Sequence, residues 1–166
     1  QSYGNLIMKK NVNFKDISVH DTPNRSPGFL LWHVSTAWRG SIELMLKSMG
    51  LTHPQFVILA TLGWLTRKGD RVTQAVVGKM AGLDPNTVSQ IIRGLEQKEL
   101  IIREKSSDGR AKNPILTIKG SDMLKKAMPA VETKDAEFFH NLTLEENECM
   151  IDIFQKLIPK NMEIAE

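Results

Sequence analysis

In the segment PNTVSQIIRGLEQ, residues 85–97, polar and apolar side chains separate once the chain is wound at about 100° per residue. Val88, Ile91, Ile92 and Leu95 fall on one face. Asn86, Gln90, Arg93 and Gln97 fall on the opposite face, with Thr87 and Ser89 at its edges. The outward set has no acidic member before Glu96. Its side chains are those that bond base edges, Arg bidentately to guanine and Asn or Gln bidentately to adenine. Asp84 and Pro85 supply a cap and a first-turn proline, so backbone N–H groups and the positive dipole end face any nearby phosphate. The chemistry on offer is recognition of a polyanion that carries bases.

A second candidate lies downstream in SSDGRAK, residues 106–112, a polar run between two β-branched-rich stretches. Asp108 stands two residues before Arg110, close enough to orient its guanidinium, and Gly109 permits a tight turn between them. An arginine oriented in advance loses less rotamer freedom on binding.

The surrounding charge agrees. Residues 67–119 hold eleven Lys/Arg against six Asp/Glu, net +5, inside a chain of net +3. The middle third is therefore basic and the flanks are mildly acidic, the distribution of a polyanion-binding module in a more neutral frame.

Other chemistries find little support. There is no Gly-rich phosphate loop, nucleophile elbow or HExxH, so no enzyme is expected. His20, His33, His53 and His140 are scattered, and neither a metal nor a cofactor is implied. The single cysteine, Cys149, is flanked by Glu145, Glu146, Glu148 and Asp152, which disfavour a thiolate. One cysteine permits no internal disulfide, which fits a reducing cytoplasm, and no run of about eighteen apolar residues suggests a membrane span.

These groups need elements to hold them. FLLWHVSTAWRGSIELMLKSMG spaces Leu30, Val34, Ala37 or Trp38, Ile42, Met45 and Met49 by threes and fours, predicting a long amphipathic helix ending at Gly50. Thr52 with Gln55 forms a capping-box spacing for a second helix, which ends at Lys68-Gly69-Asp70. Thr73 can cap a short helix to about Ala81, Gly82 turns the chain, and the helix over 85–98 follows, which makes a helix-turn-helix. LIIRE and PILTI predict an antiparallel hairpin with Pro114 at a strand start and the polar run at its tip. A long helix from Lys119 to about His140 and another opened by Thr143 and Glu146 complete the chain. The fold class is mainly α with a small β-wing.

The run VTQAVVGKMAGLDPNTVSQIIRGLEQKELIIREKSSDGRAKNPILTIKG, Val72 to Gly120, resembles the winged helix-turn-helix of the MarR family of bacterial transcriptional regulators. It carries the Asp-x-Arg wing signature as Asp108-Gly109-Arg110 and a following Leu-Thr-x-x-Gly as Leu116 to Gly120. The resemblance implies a homodimer held by interleaved N- and C-terminal helices, with the recognition helix in the major groove and the wing arginine in the minor groove or on the backbone. It implies double-stranded DNA as partner, a pseudo-palindromic operator and, in many members, repression relieved by a small-molecule effector. Thr73, Asn86, Thr87, Ser89, Gln90, Arg93, Asp108, Arg110 and Lys112 are the expected DNA-binding residues, and the expected location is the bacterial cytoplasm, at the nucleoid. An effector would fall among Trp32, His33, Trp38, Arg39, Phe56 and Trp64 on the first two helices. The expected division is an arm over 1–27, a first dimerisation helix over 28–51, the winged helix over 52–120 and C-terminal dimerisation helices over 121–166. Within the arm, QSYGNLI ahead of Met8 is expected to be an expression scar. The alternative function is a winged helix that binds protein without reading DNA.

Overall fold

Four of the five α-helices that follow the first among the described residues begin at a side-chain cap expected from the sequence, Thr52, Thr73, Asp84 and Thr143. The computed structural model describes residues 11–106, 109, 110 and 112–162, for Lys112 the backbone alone. The expected scar ahead of Met8 and the wing's Asp108 lie outside the described residues. Internal contacts divide the chain into two units, Gln1–Ala37 and Trp38–Glu166.

In the first unit, two short 3-10 turns, Phe14–Asp16 and Pro23–Arg25, precede the start of α1, Pro27–Ser48. Neither turn buries a residue. Phe29, Leu30, Leu31, Trp32 and Val34 at the start of α1 are all exposed.

In the second unit the rest of α1 becomes part of a core, with Ile42 and Leu46 fully buried. Gly50, at φ +74°, ends the helix, and the Leu51 N–H returns to the Leu46 carbonyl at 3.1 Å. Only a residue tolerant of left-handed backbone closes a helix this way. Helix α2, His53–Leu65, opens with the capping box expected from Thr52 and Gln55. Helix α3, Gln74–Ala81, is capped by Thr73, whose hydroxyl accepts from the Val76 N–H, and ends at Gly82, φ +67°. Helix α4, Pro85–Gln97, is capped by Asp84.

Strands β1, Ile101–Lys105, and β2, Lys112–Leu116, form an antiparallel two-stranded sheet in which Arg103 faces Pro114 and Lys105 faces Lys112. The hairpin was expected, but Pro114 sits inside β2 instead of at its start. A two-stranded sheet leaves β2 with a neighbour on one side only, so alternate N–H groups point away from the ladder and a proline is tolerated. Thr117 and Ile118 are not strand. The Thr117 hydroxyl accepts from the Gly120 N–H and starts α5, Ile118–Phe138, a local bond that outcompetes strand propensity.

Helix α6, Leu144–Leu157, has the expected capping box of Thr143 and Glu146. It buries no residue, and Ile151, Ile153, Phe154 and Leu157 are exposed. The core of the second unit instead joins α1, α2, α4, the hairpin and α5 through Ile58, Leu59, Leu62, Ile92, Leu95, Leu100, Ile101 and Ala127.

Candidate nucleic-acid interface

Helix α4 owes its position to what it buries. Val88, Ile92 and Leu95 are at most 1% exposed, and their contact with the core leaves the opposite face outward. Gly78 in α3 makes the crossing tight, because a Cβ there would lie 2.8 Å from Val88 Cγ2. Together with the left-handed Gly82 this fixes α3 and α4 as a helix-turn-helix. Asn86, Gln90, Arg93 and Gln97 are all exposed, and Ser89 is half-buried at the edge, as the helical periodicity predicts.

At the start of α4 the Asp84 carboxylate accepts from the Thr87 N–H at 3.0 Å and from the Thr87 hydroxyl. These bonds hold its carboxyl below the usual carboxylate value. The Thr87 hydroxyl is thus engaged within the helix end, which sets it apart from Asn86 and Gln90. Thr73 is likewise a cap, half-buried, at the N-terminus of α3.

The wing tip turns at Gly109, φ +70°, whose N–H donates to the Ser106 carbonyl at 2.8 Å, and Arg110 follows, exposed. Asp108 and the Lys112 side chain lie outside the described residues, so the brace expected from Asp108 is not on view. Among the described residues, two ion pairs reach the first strand of the hairpin. Arg103 in β1 bonds Glu96 in the last turn of α4 bidentately, Nε to Oε1 at 2.8 Å and Nη2 to Oε2 at 2.7 Å. Arg71, ahead of α3, reaches Glu104 at 3.4 Å. Part of the basic middle third therefore orients the wing from within. Sequence reading missed these pairs because no local spacing signals them.

The six residues expected around an effector meet different fates. Trp38 and Phe56 pack inward in the second unit, Phe56 at 6% exposure. The Trp38 indole donates to Asp135 of α5 at 2.7 Å and meets the His53 ring edge-on at 5.1 Å between centroids. His53 and Asp135, which the periodicity did not single out, thus join Trp38 at one place. Arg39 is exposed and reaches Glu43 at 3.9 Å. Trp64 stands at the other end of α2, with the Arg67 guanidinium 3.6 Å above its ring. In the first unit, Trp32 is exposed and His33 packs edge-on against Phe29. A cavity of about 500 Å³ in that unit is lined by Phe14, Ser18, His20, Asp21, Thr22, Pro23, Ser26 and Phe29, none of the six.

Among the described residues no cluster of three His, Cys, Asp or Glu could hold a metal ion, and no helix is long and apolar enough to cross a membrane.

The sequence profile of the MarR family matches residues 51–112, from the residue before the cap of α2 to the first residue of β2. An uncharacterized HTH-type transcriptional regulator of Bacillus subtilis, YdcH, is 36% identical over 126 residues, 75% of this chain and 86% of its own. The chain belongs to the MarR family. As a member it is a DNA-binding transcriptional regulator, and α4 with the hairpin is its winged helix. The HTH-type transcriptional repressor Rv2887 of Mycobacterium tuberculosis is 28% identical over 131 residues, covering 78% of this chain and 91% of the repressor. The solved complex of Rv2887 with p-aminosalicylic acid superposes with a TM-score of 0.61, covering 80% of this chain and 98% of that one at 26% identity. The S. aureus MepR–DNA complex superposes with a TM-score of 0.72 at 24% identity, covering 82% and 97%, and shows that the fold is shared.

Proposed function

We propose that the protein is a homodimeric repressor that places α4 in the major groove of a pseudo-palindromic operator, with Arg110 reaching the minor groove or the backbone. The observation that carries this is the exposed Asn86, Gln90, Arg93 and Gln97 face, held rigidly by the buried Val88, Ile92 and Leu95 behind it. Thr73, Thr87, Ser89 and Lys112 are the further proposed contacts to phosphate or base. Rv2887, named a repressor, and MepR, solved on DNA, support the same use of the fold.

The dimer rests on surface that a lone chain leaves wet. Helix α6 buries nothing, and its Ile151, Phe154 and Leu157, like Phe29, Leu30 and Trp32 at the start of α1, are exposed. Apolar surface of that extent marks an association site, and a two-fold axis would set two recognition helices about one DNA turn apart. Residues 28–51 and 121–166 are the proposed dimerisation parts, and 52–120 the reading part. A small molecule that releases the DNA fits a family in which Rv2887 is solved with p-aminosalicylic acid. Trp38, which bonds Asp135 and meets the His53 ring, forms the proposed effector wall with Arg39 and Phe56. The protein would act in the bacterial cytoplasm on nucleoid DNA.

The test is selection from random duplexes by the purified protein, followed by a salt titration. Selected duplexes should carry inverted half-sites, and log K should fall by about 0.9 per tenfold salt for each phosphate neutralised. Failure to enrich any sequence, with salt-insensitive binding, would reject DNA readout.

A further inference from the structure

Lys98 follows the last residue of α4 within the basic middle third, where a lysine invites assignment to a phosphate. Its ammonium is instead bonded to other parts of the protein. Nζ donates to the Gly50 carbonyl at 2.6 Å and to Gln55 Oε1 at 2.7 Å, across 48 and 43 residues of chain. Gly50 is the left-handed residue that ends α1, so the ammonium sits at that helix's negative dipole end and satisfies a carbonyl left over by the closing turn. Gln55 Oε1 is the same atom that accepts from the Thr52 N–H at 3.2 Å in the capping box of α2. One side chain therefore ties the end of the recognition helix to the end of α1 and the beginning of α2.

A second contact reinforces the tie. Gly94, one turn before Lys98 in α4, faces the Gln55 amide so closely that a Cβ would lie 3.1 Å from Nε2. The amide acts as a wedge against α4 while the ammonium pulls on the turn after it. Buried Ile92 and Leu95 set the depth of α4, but apolar contact is non-directional and leaves rotation about that contact weakly defined. Hydrogen bonds at fixed atoms define it.

We infer that Lys98 is a positioning residue for DNA reading: it sets the angle of α4 against the α1–α2 junction and does not itself contact phosphate. The inference rests on the proposed use of α4 in a DNA groove. A bend or shift at the end of α1 would pass through Gly50 and Gln55 to the recognition helix by this route.

The test compares wild type, Lys98→Met and Lys98→Arg on two probes, a duplex that wild type selects from random sequence and a shuffled duplex of the same length. Lys98→Met should bind the selected duplex about five- to tenfold more weakly, the scale of losing hydrogen bonds to a charged group, with shuffled-duplex affinity unchanged. The salt slope of specific binding should stay that of wild type. Lys98→Arg, whose fork can span both acceptors, should restore affinity while Lys98→Met still melts cooperatively. A salt slope shallower by about 0.9 in Lys98→Met would make Lys98 a phosphate contact and overturn the inference, as would undiminished specific affinity. Equal loss on both probes, or loss that Lys98→Arg does not rescue, also overturns it. If wild type selects no duplex at all, the DNA reading falls first and the inference with it.

Discussion

Gly120, in the first turn of α5, lies so close under Leu100 that a Cβ there would sit 1.9 Å from the Leu100 carbonyl oxygen. Thr117 completes the joint. Its hydroxyl donates to the Glu99 carbonyl at 2.6 Å and accepts from the Gly120 N–H at 2.9 Å, and its own N–H bonds the Leu100 carbonyl at 3.1 Å. The Leu-Thr-x-x-Gly run thus has a mechanical meaning: it clamps the exit of the hairpin onto its entrance. Glu99 takes the left-handed φ of +59° that this close return requires.

Gly120→Ala should therefore destabilise the protein by about 3 kcal/mol, because the clashing partner is backbone and cannot swing away. At an unconstrained helix position the same change would stabilise by up to about 1 kcal/mol, so the sign alone decides. Urea unfolding followed by circular dichroism measures it, and a midpoint at or above wild type would contradict the clamp.

The Glu96–Arg103 pair should behave as one unit. Both side chains are largely shielded, at 27% and 19% exposure, and the fork bonds both carboxylate oxygens. Arg103→Met should cost about 1–3 kcal/mol by leaving Glu96 shielded and unpaired, and Arg103→Lys should recover only part of this. In a double-mutant cycle with Glu96→Gln the losses should not add, and additive losses would show the two side chains to be independent.

Acidification should weaken the fold through His53. Burial pushes its imidazole below the usual 6.5, opposed by the charge of Glu43, aided by Arg39 and opposed again by Asp135. Below pH 6.5 the unfolded chain takes up a proton that the folded His53 still refuses, so stability falls with pH until the folded ring titrates, then levels. Melting temperature measured from about pH 7.5 to 5.5 should drop more in wild type than in His53→Gln. Parallel curves for the two proteins would remove His53 as the cause.

What the sequence showed and what it hid divide along chain distance. Thr52 with Gln55, Thr143 with Glu146, and Asp84 with Pro85 are local devices, and the starts of α2, α6 and α4 were legible from them. The outward face of α4 was legible because periodicity is also local. Pro114 was misplaced because its tolerance depends on how many strands the sheet has, which no local pattern states. No local pattern pointed from Lys98 to Gly50, to which it is bonded, and His53 looked isolated and stacks on Trp38 beside Asp135. Those partners are brought together by packing of α1, α2, α4 and α5, so spacing along the chain carries no trace of them.

Arg110 should contribute to specific binding as a wing contact. It is exposed directly after the left-handed Gly109, and Arg110→Ala should weaken binding to the selected duplex by about 1–3 kcal/mol. Asp108→Ala should weaken it less, through lost orientation. Fluorescence anisotropy on the selected duplex separates these, and wild-type affinity in Arg110→Ala would remove the wing from the account.

The most direct test concerns Arg93, exposed at the centre of the outward face of α4. Duplex selection repeated with Arg93→Ala should return sites relaxed at one base pair in each half-site. Its affinity for the wild-type duplex should fall about ten- to a hundredfold at an unchanged melting temperature. An Arg93→Ala protein that selects the same sequence with the same affinity would contradict the claim that this face reads DNA.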